Sequence, residues 1–218
     1  MLDLEKFPDY FRSYHWQAKH SLYGYPADIS PKFEWMLSLE KRFSWLRINC
    51  EVESTSAIYL LKEMIQWGGS QSGTLQKFED GLEQHNMRNL VLETVTNLKD
   101  PEKAIAAALK FPGMGLTYAS KMLRFFDPEH YGAIDSRIRK ALLEREPSVL
   151  PKIYDSSNSS MVAGYVAFTK YVDRLKAQLE ASEITRPTCD FPLGLGSTQW
   201  RSADVEMALF GWASSVES

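Results

Sequence analysis

Cysteine is nearly absent from this chain: its 218 residues hold only Cys50 and Cys189. Two isolated thiols build neither a disulfide framework nor a cysteine metal site, which suits a reducing compartment. Long apolar runs are missing too. The opening MLDLEKFPDYFRSYHW has an early acid and no uninterrupted hydrophobic stretch, so neither a secretion signal nor a membrane anchor is expected. Positive charge is not in excess. A net charge of −3 argues against indiscriminate polyanion binding by the whole surface. Sustained period-2 alternation is lacking, which leaves strands at most a minor component, and there is no internal repeat.

What is present reads as helix after helix. Apolar residues recur at helical spacing in Glu34–Ile48, Ser56–Trp67, Thr74–His85, Arg88–Leu98, Met161–Leu179 and Ser202–Ala213. Starts are marked by Ser56, Thr74, Asp100-Pro101 and Ser202 with Glu206 nearby. Gly68-Gly69, Pro147, Pro151 and the polar tract Asp155–Ser160 mark breaks, and Thr185–Gln199 reads as a Pro- and Gly-rich loop. An all-α protein is the expectation. Six Trp, ten Tyr and eleven Phe supply both core volume and stacking surfaces.

The most informative stretch runs from Leu109 to Leu142, LKFPGMGLTYASKMLRFFDPEHYGAIDSRIRKAL. An Ala-rich helix from Pro101 to Lys110 stops at Phe111-Pro112, Gly113-Met114-Gly115 turns the chain, and a second helix follows to about Phe126. Glycines take positive φ and have no Cβ, so such a turn presents backbone N–H groups to an anion. The helix starting near Leu116 adds its positive dipole end there. The expected guest is a nucleic-acid phosphate. Asp135 follows 18 positions after Thr117, immediately before the helical SRIRKALLER.

The PGMG turn, Ala119 followed by Met122-Leu123, and IDSRIRKAL together resemble the helix-hairpin-helix DNA glycosylases of base-excision repair. The resemblance covers about the middle fifth of the chain, with the hairpin element at 101–126. It implies one glycosylase-like domain over 1–218, built of two helical lobes with the hairpin and Asp135 along the cleft between them. It also implies that Asp135 is the catalytic carboxylate, whose charge the helix N-terminus and Arg137 and Arg139 would favour. Cleavage of an N-glycosidic bond passes through an oxocarbenium-like cation, which a carboxylate stabilises while orienting water. Asp also caps helices well, and the two roles are compatible.

Departures from the family pattern carry equal information. Bifunctional members carry a Schiff-base lysine where this chain has Thr117, and a hydroxyl forms no imine. Base removal without strand cleavage is therefore expected. Lys121, one turn along, reads first as a phosphate contact. The iron–sulfur cluster of some relatives needs four cysteines and is excluded. The same turn's carbonyls, at Phe111 and Gly113, are candidate ligands for K+ or Na+, and no other cofactor is expected.

Further site residues follow from this resemblance and from charge. Eight Lys and Arg against four acids between Lys103 and Arg145 give a local balance of +4, leaving −7 for the rest of the chain. That fits a localised footprint on DNA, with Gly113, Gly115, Thr117, Lys110, Lys121 and Arg137 as contacts. Gln71, in the loop Gly68–Gly73, is the candidate wedge for the hole left by an extruded nucleotide, with Ser70 as second choice. His15, Trp16 and Trp67 are candidates for the base pocket, though aromatic residues at helical spacing are more often core. The partner would be double-stranded DNA carrying a modified base, bound by a monomer in the cytoplasm near the nucleoid or in a nucleus. The alternative is a non-catalytic hairpin protein that only grips DNA.

Overall fold

The computed structural model describes residues 2–14, 33–50, 54–188 and 197–215. Among them there are ten α-helices and no strand: α1 Phe7–Arg12, α2 Phe33–Asn49, α3 Ser54–Trp67, α4 Thr74–Asp80, α5 Met87–Thr96, α6 Pro101–Ala108, α7 Leu116–Phe126, α8 Ser136–Arg145, α9 Asn158–Ala181 and α10 Ser202–Ser214. The protein is all-α.

Local chemistry sets several of these starts. Asp100 accepts from the N–H groups of Glu102 and Lys103 at 3.1 and 3.2 Å, and Pro101 occupies the first turn of α6. Asn86 caps α5 and Ser157 caps α9 in the same manner. Three expected signals fall elsewhere. α3 begins at Ser54, with Ser56 inside it. The helix at Thr74 stops at Asp80 rather than His85 and passes into a single 3-10 turn, Leu82–Gln84. At α10 the N-cap is Arg201, whose backbone N–H donates to the Asp204 carboxylate at 3.2 Å, while Glu206 turns inward.

α7 is the axis of the fold. Every residue in it except Thr117 is buried, and it packs on α2, α3, α6 and α9. Phe43 of α2 stacks on Phe125 at 5.5 Å and meets Phe126 edge-on at 5.0 Å; Trp67 of α3 meets Phe125 edge-on at 5.0 Å. Each such ring contributes roughly 1.5–3 kcal/mol through burial alone. α10 is buried along its length and lies against α1, where Gly211 lets the backbones touch: a Cβ there would stand 2.1 Å from the Tyr10 carbonyl oxygen.

A chain of buried charges runs through this apolar mass. Arg186 pairs with Asp204 at 3.2 Å, Asp204 with Arg201 at 2.8 Å, and Arg201 with Glu40 at 2.9 Å. Glu40 then pairs with Arg124 at 3.1 Å, and Arg124 with Glu206 at 3.1 Å. Arg124 has no solvent exposure, and its Nη2 also lies 2.8 Å from the Met36 sulfur. A buried charge stripped of its partner costs about 3–5 kcal/mol, so these pairs fix how α2, α7 and α10 meet.

Candidate active site and nucleic-acid interface

The hairpin is built as a seat. Phe111, 2% exposed, anchors the end of α6, and the Met114 N–H donates to the Phe111 carbonyl at 3.2 Å to close the turn. The two glycines have different reasons to be there. Gly113 has φ +72°, and a Cβ on it would stand 3.1 Å from the Thr74 carbonyl oxygen and 3.2 Å from the Phe78 nitrogen of α4. Gly115 has φ −83° in extended backbone, with nothing within 4 Å of an added Cβ. The expected positive φ thus holds for Gly113 and not for Gly115. Gly115 is the N-cap of α7 and offers no side chain to the first turn; the Tyr118 N–H donates to the Gly115 carbonyl at 3.1 Å, while those of Leu116 and Thr117 precede the first intrahelical bond. That end faces outward with Thr117 half-exposed in its first turn, an arrangement suited to an oxyanion.

Asp135 is brought to α7 by a short, tightly held segment. The Tyr131 hydroxyl donates to the Leu98 carbonyl at 2.6 Å, and Tyr165 donates to the Gly132 carbonyl at 3.0 Å. Gly132 presses on α10, where a Cβ would stand 2.8 Å from that of Glu206. The Ile134 N–H then donates to the Ser120 hydroxyl of α7 at 3.0 Å. Asp135 follows, half-buried, with Oδ1 accepting from the Ile138 N–H at 2.8 Å. The carboxylate caps α8 as expected.

Behind Asp135 lies a group of buried ionisable side chains. Burial pushes the Lys121 ammonium down to about 8, opposed by the charges of Asp135 and Glu206. Burial pushes the Glu206 carboxyl up to about 7; Arg124 opposes this and Asp135 reinforces it. Tyr14 is driven far above its ordinary range, first by burial and then by the Glu206 charge. Sequence reasoning missed Glu206 as a site residue, because its nearness to Asp135 arises only from the docking of α10; Tyr14, in the aromatic stretch that could line a base pocket, is buried beside it.

The remaining candidates fall in different places. Lys121 is 5% exposed, its ammonium over the rings of Trp67 at 5.3 Å and Tyr118 at 5.4 Å. Burial removes it from a surface phosphate contact, which corrects that expectation. The basic zone is thinner than its sequence count, because Arg124 is also buried, Lys110 pairs with Glu93 at 2.5 Å and Arg139 with Asp155 at 2.7 Å. Lys110 is nevertheless exposed on the hairpin side. Arg137 is half-buried over the Phe210 ring at 4.7 Å and donates to the Ser214 hydroxyl at 3.1 Å. Trp67 is 4% exposed and is a core residue packed on Phe125, not an open stacking surface. His15 and Trp16 lie outside the described residues.

Gln71 stands exposed at the tip of a contorted loop. Gly69, Ser70, Ser72 and Gly73 all have positive φ, at 87°, 46°, 57° and 69°. For the two serines this costs on the order of 1 kcal/mol each, so the loop persists only because other groups hold it.

Among the described residues, no group of three or more His, Cys, Asp or Glu is arranged to hold a metal ion, and no helix is long and apolar enough to cross a membrane. No family model matches this chain, and no curated protein or solved structure matches it.

The site yields two predictions. Because nothing stands near a Cβ at position 115, Gly115→Val should fold normally while shielding the α7 N–H groups. Its affinity for unmodified duplex, measured by fluorescence anisotropy, should fall about tenfold, the share of one or two backbone contacts. Unaltered binding would remove the hairpin from the interface.

The second concerns Glu206. A carboxyl whose pKa rises on folding adds stability that is full below the ordinary carboxylate range and is lost as pH climbs through about 7. Glu206→Gln lacks that loss. Urea denaturation should therefore show the variant gaining on the parent by about 2–3 kcal/mol between pH 5 and pH 8. A gap that stays constant with pH would contradict titration of Glu206 in that range.

Proposed function

We propose that the protein is a monofunctional DNA glycosylase that hydrolyses the N-glycosidic bond of a damaged or modified base extruded from double-stranded DNA. In this reading its helices form two lobes, with the hairpin and Asp135 along the cleft. One observation carries it: a half-exposed carboxylate at the start of α8 is tied, through Ile134 and the Ser120 hydroxyl, to the same helix whose N-terminus forms the hairpin seat. A phosphate held at Gly115 and a sugar held at Asp135 would then belong to one strand of DNA.

The chemistry follows from the capping bond. Oδ1 of Asp135 accepts the Ile138 N–H, which fixes the plane of the group. The carboxylate's second oxygen retains acceptor capacity to face the developing sugar cation and to orient the attacking water. Thr117, in the first turn of α7, offers no amine to the sugar, so the strand is left intact. A monovalent cation fits the turn as well: the Phe111 carbonyl spends one lone pair on Met114 and keeps another, beside an exposed Gly113. When bound, such an ion adds positive charge next to the phosphate.

A second reading rests on the same bond, since a purely structural Asp would make the same cap in a protein that only grips DNA. Asp135→Asn separates the two. Asn retains the acceptor for Ile138 and hence the fold, but removes the charge opposite the cation. Single-turnover base release should drop about a hundredfold or more while duplex affinity holds. Release at the parent's rate would eliminate the catalytic assignment.

A further inference from the structure

On the side of α7, the contorted loop bearing Gln71 is held by the Tyr118 hydroxyl, with Lys121 Nζ also 3.5 Å from the Gly68 carbonyl. Tyr118, on the first turn of α7, is buried at 6% exposure, and its Oη sits in the mouth of the loop. It donates to the Gly68 carbonyl at 3.2 Å and accepts the Gln71 N–H at 2.8 Å. The Thr74 hydroxyl reinforces the closure by donating to the Gln71 carbonyl at 2.7 Å. Gly68 is the residue that admits the ring, since a Cβ there would stand 2.7 Å from Tyr118 Cε1.

The opposite side of the same loop is locked to the hairpin. α4 begins at Thr74, where the loop ends, and Gly113 has its Cβ space filled by the Thr74 carbonyl and the Phe78 nitrogen. Pro112 is likewise seated on Gly81 at the end of α4: a Cβ on Gly81 would stand 2.3 Å from Pro112 Cβ. The exposed amide of Gln71 and the exposed N-terminus of α7 are thus two points on one block, joined by Tyr118 on one flank and by α4 on the other.

We propose that Tyr118 is a positioning residue that sets where Gln71 stands relative to the hairpin's phosphate seat, so that gripping a phosphate aims the amide at the gap left by the extruded nucleotide. This deepens the glycosylase reading and rests on it. The hydroxyl touches neither sugar nor base. Its effect is on the registry of the wedge, and it carries no share of the grip itself.

Tyr118→Phe keeps the ring in place and removes the hydroxyl's bonds to Gly68 and Gln71 and its interaction with the Thr74 side chain. The probe is a duplex carrying a tetrahydrofuran abasic analogue opposite 2-aminopurine, whose fluorescence reports whether a side chain enters the gap. The parent should change that fluorescence on binding, Gln71→Ala should abolish the change, and Tyr118→Phe should reduce it about fivefold or more. Affinity for unmodified duplex and its salt slope should stay within about twofold of the parent, because phosphate contacts are untouched. In the free variant, amide exchange across 68–74 should quicken about tenfold while 111–117 is unchanged, a local opening that global destabilisation would not mimic. Thr74→Val, which removes the companion bond, should shift the same readouts in the same direction and serves if Tyr118→Phe does not fold.

A full fluorescence change with Tyr118→Phe, or exchange that quickens equally in loop and hairpin, would overturn this inference and leave the glycosylase reading standing. No change with the parent would overturn the wedge and its positioning together. Base release by the parent is measured separately, so failure of the wider reading is distinguishable from both.

Discussion

A guanidinium without solvent needs counter-charges, and Arg124, in the last turn of α7, finds two: its Nε donates to Glu206, while its Nη1 faces Glu40 as an ion pair without a hydrogen bond. Its partners come from helices far apart in sequence, Glu40 on α2 and Glu206 on α10, at 3.1 Å each. Desolvating three charges is expensive, and only the joint arrangement offsets it. The pairs therefore act less as a source of stability than as a specification: an alternative packing of α2, α7 and α10 would strand a charge in an apolar core. Arg201, Asp204 and Arg186 extend the same logic to the start of α10.

With α7 fixed in this way, both halves of the candidate site are placed by one helix. Its N-terminus is the hairpin seat. Its Ser120 takes the Ile134 N–H and so sets the approach to Asp135, while its Tyr118 and Lys121 both contact the Gly68 carbonyl beneath the Gln71 loop, at 3.2 and 3.5 Å. The buried groups behind Asp135 shape its surroundings: a lysine pushed down to about 8 and a carboxyl pushed up to about 7 are both close to changing charge near neutrality.

Much of this was legible in the sequence where the signal is local. The hairpin boundaries, the Asp100-Pro101 start and the placement of Asp135 one residue before α8 depend on turn and cap chemistry within a few residues. The all-α character followed from helical periodicity. What was not legible depends on contacts across the chain. Lys121 and Arg124 look like solvated cations in a basic run, and nothing in their neighbours reveals that residues 40 and 206 neutralise an interior site. Glu206 resembled a helix-start acid for the same reason, until the observed cap proved to be Arg201 with Asp204. Tyr118 gave no signal at all, because its hydroxyl acts on a loop 47 residues away.

Hydrolysis of a glycosidic bond at Asp135 is the activity we propose. The most direct measurement incubates the full chain with a panel of duplexes, each holding one modified base, and scores free base and strand integrity before and after alkali. A monofunctional glycosylase should release a free base from at least one duplex, with the strand intact until alkali is added and no protein–DNA adduct trapped by borohydride. Tight duplex binding with no base released across the panel, or strand scission accompanied by a trapped adduct, would contradict it.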